Sequence, residues 1–297
     1  MPGLSTRRRE ALHGYLFVSP WIIGFVLFGL GPMVASLWLS MTYYPLLRPP
    51  SFVGLENYVT AFREDLFWTS LWNTAYYVFV GVPIGVVGSL VCALLMNQGI
   101  KARTFFRAIF FIPSITPTVA TSLVWAWVLH GNFGLLNTVL GYVGIRGPQW
   151  FNDVHWSKPA MILIDLWATV GGPTMIIFLA GLQGVPQEFY EVAEIDGAGS
   201  WRKFVSVTVP MLSPTILLIL ITGLIGAFRV FTTAYVITQG GPSYSTYFYA
   251  LHLFRNAFQY MNMGYASALA WFLLAIVLAL TVLQLRMSRY WVYYAGA

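Results

Sequence analysis

Charge is scarce in this sequence, so chemistry is expected where charge concentrates or stands alone. Of ten acidic residues in 297, four fall within nine positions: Glu188, Glu191, Glu194 and Asp196. Two further ionisable residues, Asp165 and Arg229, stand inside apolar runs. A charge near bilayer depth costs about 2.5–3.5 kcal/mol on insertion scales, so each must face protein or water. Asp165 is seven residues beyond Lys158, and Arg229 is nine before Thr238. At ~1.5 Å per residue both lie roughly 10–14 Å below the same end of their helices. That common height allows the two to pair, either as a structural salt bridge or along a polar pathway. Asn73, Trp125, Thr232, Thr233 and Tyr235 are further candidates to face such a pathway, since they bring amide, hydroxyl and aromatic groups into apolar surroundings.

Common catalytic patterns are missing. None of the three lysines, Lys101, Lys158 and Lys203, lies in a Gly-x4-Gly-Lys-[Ser/Thr] context. There is no His-Glu-x-x-His and no Gly-x-Ser-x-Gly, and the four histidines, His13, His130, His155 and His252, are scattered. The single cysteine, Cys92, rules out an internal disulfide framework and a Cys-based metal cluster.

The elements that must position these residues follow from composition. Hydrophobic residues make up 58% of the chain and charged ones 9%, against roughly 25% charged in a soluble domain. So few charges cannot cover a soluble surface, and lipid must solvate much of it. Many of the Phe, Tyr and Trp residues sit near the ends of apolar runs, where headgroup depth suits an apolar ring with a polar edge. Stretches near Tyr15–Met41, Leu71–Met96, Ile109–His130, Ala160–Leu182, Ile216–Thr238 and Ala266–Leu285 are long enough to cross a hydrocarbon core, which takes about 20 helical residues. The expected fold class is therefore all-α integral membrane with about six transmembrane helices. The first run follows Arg7–Arg9, as a signal peptide would, but it is too long for one and reads as a retained span.

Basic residues set the orientation. One face receives Arg7–Arg9, Lys101, Arg103, Arg107, Arg202, Lys203, Arg286 and Arg289; the other receives Arg48, Arg63, Arg146, Lys158 and Arg255. Ten against five places both termini in the cytoplasm. The net charge of +6 belongs to this bias, and no basic stripe points to nucleic acid. Gly134–Ile145 has apolar positions at helical spacing and is expected to lie along the interface on the outer side.

The connection between the fourth and fifth spans, residues 184–210, is longer than the ~2–8 residues usual between bundle helices. Pro186 suits a first helical position, and Glu188 in the first turn complements the helix dipole. Phe189, Val192 and Ala193 form one apolar face. Asp196-Gly197 reads as a turn, Ser200 as the cap of a second short helix from Trp201, and Pro210 and Pro214 as the restart into the fifth span. A compact helix–turn–helix results. Breaks are expected at Pro113 and Pro117 in the third span and at Gly171-Gly172-Pro173 in the fourth, where transporters expose backbone at the midplane.

Glu191-Val-Ala-Glu-Ile-Asp-Gly197, followed by Val207-Thr-Val-Pro210, resembles the EAA motif of the inner-membrane permeases of ABC importers. Val192 departs from the usual second Ala. The stretch Phe228–Pro242 with Ser245-Thr246, and Phe178-Leu-Ala-Gly-Leu-Gln183, are similar to the sugar-type, carbohydrate-importing subgroup, although many of its members carry an acid where this chain has Thr232. The resemblance implies one permease domain over 1–297, with a core of about 70–285, a tail and first span at 1–44, and a cytoplasmic coupling loop at 184–210. In that family the loop is the coupling helix, seated in a cleft of the ATPase. It assigns ATPase coupling to Glu191, Ala193, Asp196, Gly197, Ala198 and Pro210, with Gly197 as the turn between the two helices.

The resemblance further implies a second, similar permease, two ATPase subunits and an extracytoplasmic sugar-binding protein, in a bacterial or archaeal inner membrane. This chain itself would be non-catalytic and bind no cofactor, with ATP and Mg used by the partner ATPase. Sugars are bound by hydrogen bonds and stacking, which the pathway candidates supply. Three other classes compete. A secondary transporter predicts repeated halves and more intramembrane ionisable groups, an intramembrane enzyme predicts a clustered site, and a structural scaffold predicts no dependence on an ATPase.

Overall fold

The computed structural model describes residues 6–99 and 101–294. In chain order the first elements are α1 (Thr6–Phe25), α2 (Gly31–Ser40), the two-residue strands β1 (Thr42–Tyr43) and β2 (Ser51–Phe52), α3 (Glu56–Arg63) and α4 (Asp65–Asn97). Then come α5 (Arg103–Ile115), α6 (Thr118–Val128), α7 (Leu135–Tyr142), α8 (Val154–Thr169), α9 (Pro173–Gln183), α10 (Gln187–Ile195) and α11 (Ser200–Lys203). The last are α12 (Val209–Ala227), α13 (Thr232–Ile237), α14 (Tyr249–Phe254) and α15 (Met263–Ser288).

Four helical stretches are long and apolar enough to cross a membrane: Glu10–Ser40, Asp65–Asn97, Ser200–Ile237 and Met263–Ser288. Two bent pairs raise the number to six if each pair is one span. The third and fourth apolar runs are therefore bent helix pairs, broken at Pro117 and at Gly171-Gly172-Pro173, where the sequence leads one to expect breaks. Between α5 and α6 the axis turns by 98°. Thr116 and Pro117 both adopt extended ψ there, as expected where a proline lacks its N–H and crowds the residue before it. Between α8 and α9 the turn is 52°. A methyl on Gly171 would overlap the Phe110 carbonyl of α5, and one on Gly172 would stand 2.8 Å from the Ser114 Cβ, so α5 seats directly on this break.

The fifth span begins earlier than its apolar run. From Ser200 the chain is helical through a π-turn at Phe204–Thr208 into α12. Val209 donates to Phe204 O, five residues back. Pro210 cannot donate to the Ser206 carbonyl, and its ring crowds that position, so the helix widens just before it. The same arrangement recurs at Val26–Leu30, where Gly31 donates to Val26 O just before Pro32.

The described residues form two compact units. One comprises 6–63 and 253–273. In it Thr42 pairs with Phe52 and Tyr43 with Ser51. The Asn57 amide donates to Ser40 O and Thr42 O, both at 2.8 Å. Phe272 packs edge-on against Tyr58 and Phe62, and Trp271 donates to Ser36 Oγ at 3.2 Å. A cavity of about 470 Å³ lies among Tyr43, Glu56, Asn57, Asn256, Asn262 and Tyr265.

The other unit comprises 64–252 and 274–294. Its main core joins α4 (Val86, Ala93, Met96), α9 (Met175, Phe178, Leu179, Leu182) and α12 (Leu212, Ile219). Gly81, Gly85 and Gly88 form a stripe on α4. Methyls there would meet Ile162, Leu166 and Val170 of α8 at 3.6, 3.5 and 3.0 Å. Small residues at this spacing let two helices approach closely where lipid offers no hydrophobic drive for them to associate.

Candidate functional site

Two features of the second unit bring the charged residues into use: a cavity among broken helices, and an exposed elbow. The cavity, about 470 Å³, is lined by α4 (Tyr77, Gly81, Gly85, Ser89), α8 (Asp165, Thr169), α12 (Ile219, Thr222, Gly223, Gly226) and the Arg229–Thr233 segment, with Thr118 and Thr174 opening α6 and α9. The glycine stripe thus does two things. It seats α4 on α8, and it leaves room where side chains would otherwise fill the space.

Arg229 reaches this space because α12 does not run smoothly into α13. Arg229 N–H bonds to Gly226 O and Val230 N–H to Ala227 O, tightening the helix to three-residue turns before Phe231 leaves helical geometry. Gly223 and Gly226 weaken this stretch, and β-branched Val230, Thr232 and Thr233 weaken it further. Thr232 and Thr233 then reopen the helix beside the cavity, and Phe231 is stacked on Tyr235 with centroids 5.2 Å apart.

Asp165 and Arg229 line the same cavity, in keeping with the common height read from the sequence. Among the described residues they are not an ion pair, since no Asp165–Arg229 contact falls within 4.0 Å. Asp165 is half-buried and is hydrogen-bonded to the Tyr77 hydroxyl, a partner one helix away that the sequence did not single out. Arg229 is exposed to the cavity.

Three pathway candidates lie elsewhere. Asn73 is 3% exposed. Its amide donates to Tyr244 O at 2.7 Å and Tyr247 O at 3.3 Å and accepts from Lys158 Nζ at 3.1 Å, so it holds the 244–247 loop to α4 and α8. The hydroxyl pairs Ser157–Ser245 and Thr238–Thr246, at 2.7 and 2.6 Å, secure the same loop. Trp125 packs edge-on against Trp167 over the Leu129, Ala160 and Ile164 cluster. Tyr235 stacks on Phe231 outside the lining.

At the elbow, α10 ends in a left-handed glycine cap. Gly197 has φ +74°, Ala198 donates to Ala193 O at 2.8 Å, and Gly197 donates to Glu194 O at 3.0 Å. This paired bond pattern closes the helix only when the capping residue tolerates positive φ. The cap local to the next helix differs from expectation. Pro186 is the residue before α10, Gly199 precedes α11, and Ser200 is its first residue with no side-chain cap bond. The second helix is not a separate short unit, because it runs on into the fifth span.

The elbow is braced by the Tyr190 hydroxyl against Thr208 Oγ1 at 3.0 Å and by Lys203 with Glu194 at 3.5 Å. Ala193, Ala198 and Pro210 are half-buried against it, while Glu191, Asp196 and Gly197 are exposed. Phe189, Val192, Ile195 and Trp201 present apolar surface outward, Ile195 at 86% and Trp201 at 75% exposure. Among the described residues nothing covers this apolar face, which is ringed by carboxylates.

A lipid-soluble helical frame around a polar cavity, with a rigid exposed elbow on one of its helices, defines a membrane transport component. Residues 81–291 match the family model described as binding-protein-dependent transport system inner membrane component, and the chain belongs to that family. It is 40% identical over 292 residues, 97% of this chain and 94% of the relative, to a probable ABC transporter permease protein of Bacillus subtilis. It is 36% identical to the sulfoquinovosyl glycerol transport permease of Agrobacterium fabrum, over 94% of this chain and 91% of the relative. It is 34% identical to the trehalose/maltose transport permease of Thermococcus litoralis, over 95% of each. Among solved structures, a chain of a bacterial ABC transporter importing the acidic polysaccharide alginate has the same fold. Its TM-score is 0.82 at 23% identity, over 95% of this chain and 96% of that one.

Proposed function

We propose that this chain is a translocation subunit of an ATP-driven importer for a sugar or oligosaccharide. In this reading the cavity around Asp165, Arg229, Thr232 and Thr233 is part of the cargo path, and the Glu191–Gly197 elbow is the contact with a separate ATPase. One observation carries it: an unbroken helical run from Ser200 to Ala227, through the π-turn, links the two. It starts at the elbow and ends in the cavity wall. At ~1.5 Å per residue, Ser200 and Ala227, which lines the cavity, are roughly 40 Å apart along it. A helix over that distance transmits displacement and rotation where a flexible linker would absorb them.

The relatives named for sulfoquinovosyl glycerol and for trehalose and maltose support a sugar cargo. The alginate transporter crystallised with its pentasaccharide-bound periplasmic protein supports delivery by an external solute-binding protein. The remaining parts are a second, similar permease and two ATPase copies that use ATP and Mg. Both termini lie in the cytoplasm, which puts the elbow on the ATPase side. The whole chain acts as one permease domain, with 184–210 as its coupling loop. The side chains named here bind and move; none performs a bond-breaking step.

Glu191 tests the arrangement. It is exposed on the elbow and lies outside the cavity lining. In proteoliposomes holding the complete complex, Glu191→Ala is expected to lower sugar-stimulated ATP hydrolysis and uptake together by about tenfold, as loss of a charge-assisted contact does. Unchanged stimulation would sink the coupling role. A complex that takes up sugar without ATP would sink the importer reading.

A further inference from the structure

The cavity holds a positive charge that its own chain leaves unanswered. Arg229 is exposed to it from the α12–α13 break. Among the described residues, no carboxylate lies within 4.0 Å of its guanidinium. The one carboxylate in the lining, Asp165, is half-buried and taken up by the Tyr77 hydroxyl. The other polar side chains of the lining are Tyr77, Ser89 and threonines, all neutral as hydroxyls.

We infer that the cargo carries an acidic group, a carboxylate on the sugar, and that Arg229 is the residue that receives it. The inference rests on the cavity being part of the cargo path. An unpaired cation at membrane depth is unfavourable, and an arriving anion relieves it. The guanidinium fork matches a carboxylate with two parallel hydrogen bonds. The threonines beside it serve the sugar hydroxyls, and the Phe231 ring in the same lining offers an apolar surface to a pyranose face. A neutral sugar needs only the hydroxyls and the ring. For such a cargo, a guanidinium held clear of the available carboxylate would carry a cost with no return.

The position of Thr233 allows a direct test on the purified complex, independent of the solute-binding protein's own preference. In a Cys92→Ala background, Thr233→Cys is labelled with a maleimide while digalacturonate or lactose is titrated in. Digalacturonate is expected to slow labelling at concentrations about 10- to 100-fold below those of lactose, the range of a charge-assisted hydrogen bond. Arg229→Gln should abolish that preference and Arg229→Lys keep part of it. An unchanged thermal midpoint would show that both variants are folded. Equal protection by the two sugars, or protection by digalacturonate that survives Arg229→Gln, overturns the acidic-cargo inference and leaves the cavity as the path. Labelling that neither sugar slows, or no labelling at all, overturns the cavity reading itself.

Discussion

At the residue scale, the same side-chain type does different work according to what surrounds it. Asn73 and Thr233 are both polar groups in apolar helices, yet one is spent on the 244–247 loop and the other lines open space. Asn73→Ala would remove the amide donor to Tyr244 O and Tyr247 O and the acceptor for Lys158 Nζ. It should cost about 2–4 kcal/mol, seen as a lower thermal midpoint in detergent, while cargo preference in the folded fraction stays unchanged. His252 gives a pH-dependent counterpart. Its ring is buried, with Nδ1 3.2 Å from the Tyr247 hydroxyl and Nε2 3.6 Å from Glu64. Burial lowers its pKa below 6.5, and Glu64 offsets part of that fall. The unfolded chain therefore binds the proton more readily than the folded one. Stability should be full above about pH 6.5 and decline as pH falls from there toward the folded-state pKa. Thermal midpoints measured between pH 7.5 and 5.5 should show this slope, and His252→Gln should flatten it.

At the element scale, helix defects set the geometry, and each has a local cause. The π-turn before Pro210 adds one residue to the helix linking elbow and cavity. Pro210→Ala restores the missing N–H and removes the ring, so the turn should relax to α-helix. Taking the extra residue into regular α-winding rotates the elbow by roughly 100° about the helix axis. The expected result is a protein at least as stable as the parent in which ATP hydrolysis no longer responds to sugar. A coupled, sugar-stimulated Pro210→Ala complex would show that the π-turn is not needed for transmission. The α4 glycine stripe is a defect of the opposite kind, an absence of side chains that fixes a close approach to α8 and opens the cavity on the same helix.

At the scale of the whole molecule, apolar exposure is the rule. Phe17 and Phe28 on the first helical stretch are 86% and 83% exposed. A surface of this kind would aggregate in water, and it belongs against lipid or a partner subunit. The two-to-one distribution of basic residues is the basis for the proposed orientation, with both termini in the cytoplasm. Fluorescent-protein and alkaline phosphatase fusions at the C-terminus check it: fluorescence with an inactive phosphatase is expected, and the reverse would put the elbow on the wrong side for an ATPase.

The sequence by itself determined the membrane class, the apolar runs, the two break points and the elbow around Gly197. Each of these depends on neighbours within a few residues: helical period, the missing N–H of proline, the left-handed tolerance of glycine. From helical rise it also predicted a common depth for Asp165 and Arg229, and both line one cavity. Only the tertiary structure decided which polar groups meet. Depth says nothing of the direction a side chain faces, and that depends on how helices rotate and pack. So Arg229, Thr232 and Thr233 came to the cavity, Asn73, Trp125 and Tyr235 did not, and Asp165 was given to Tyr77. The continuous path from elbow to cavity was likewise hidden, because Arg202, Lys203 and the polar residues around them interrupt the apolar run while the backbone stays helical through a π-turn.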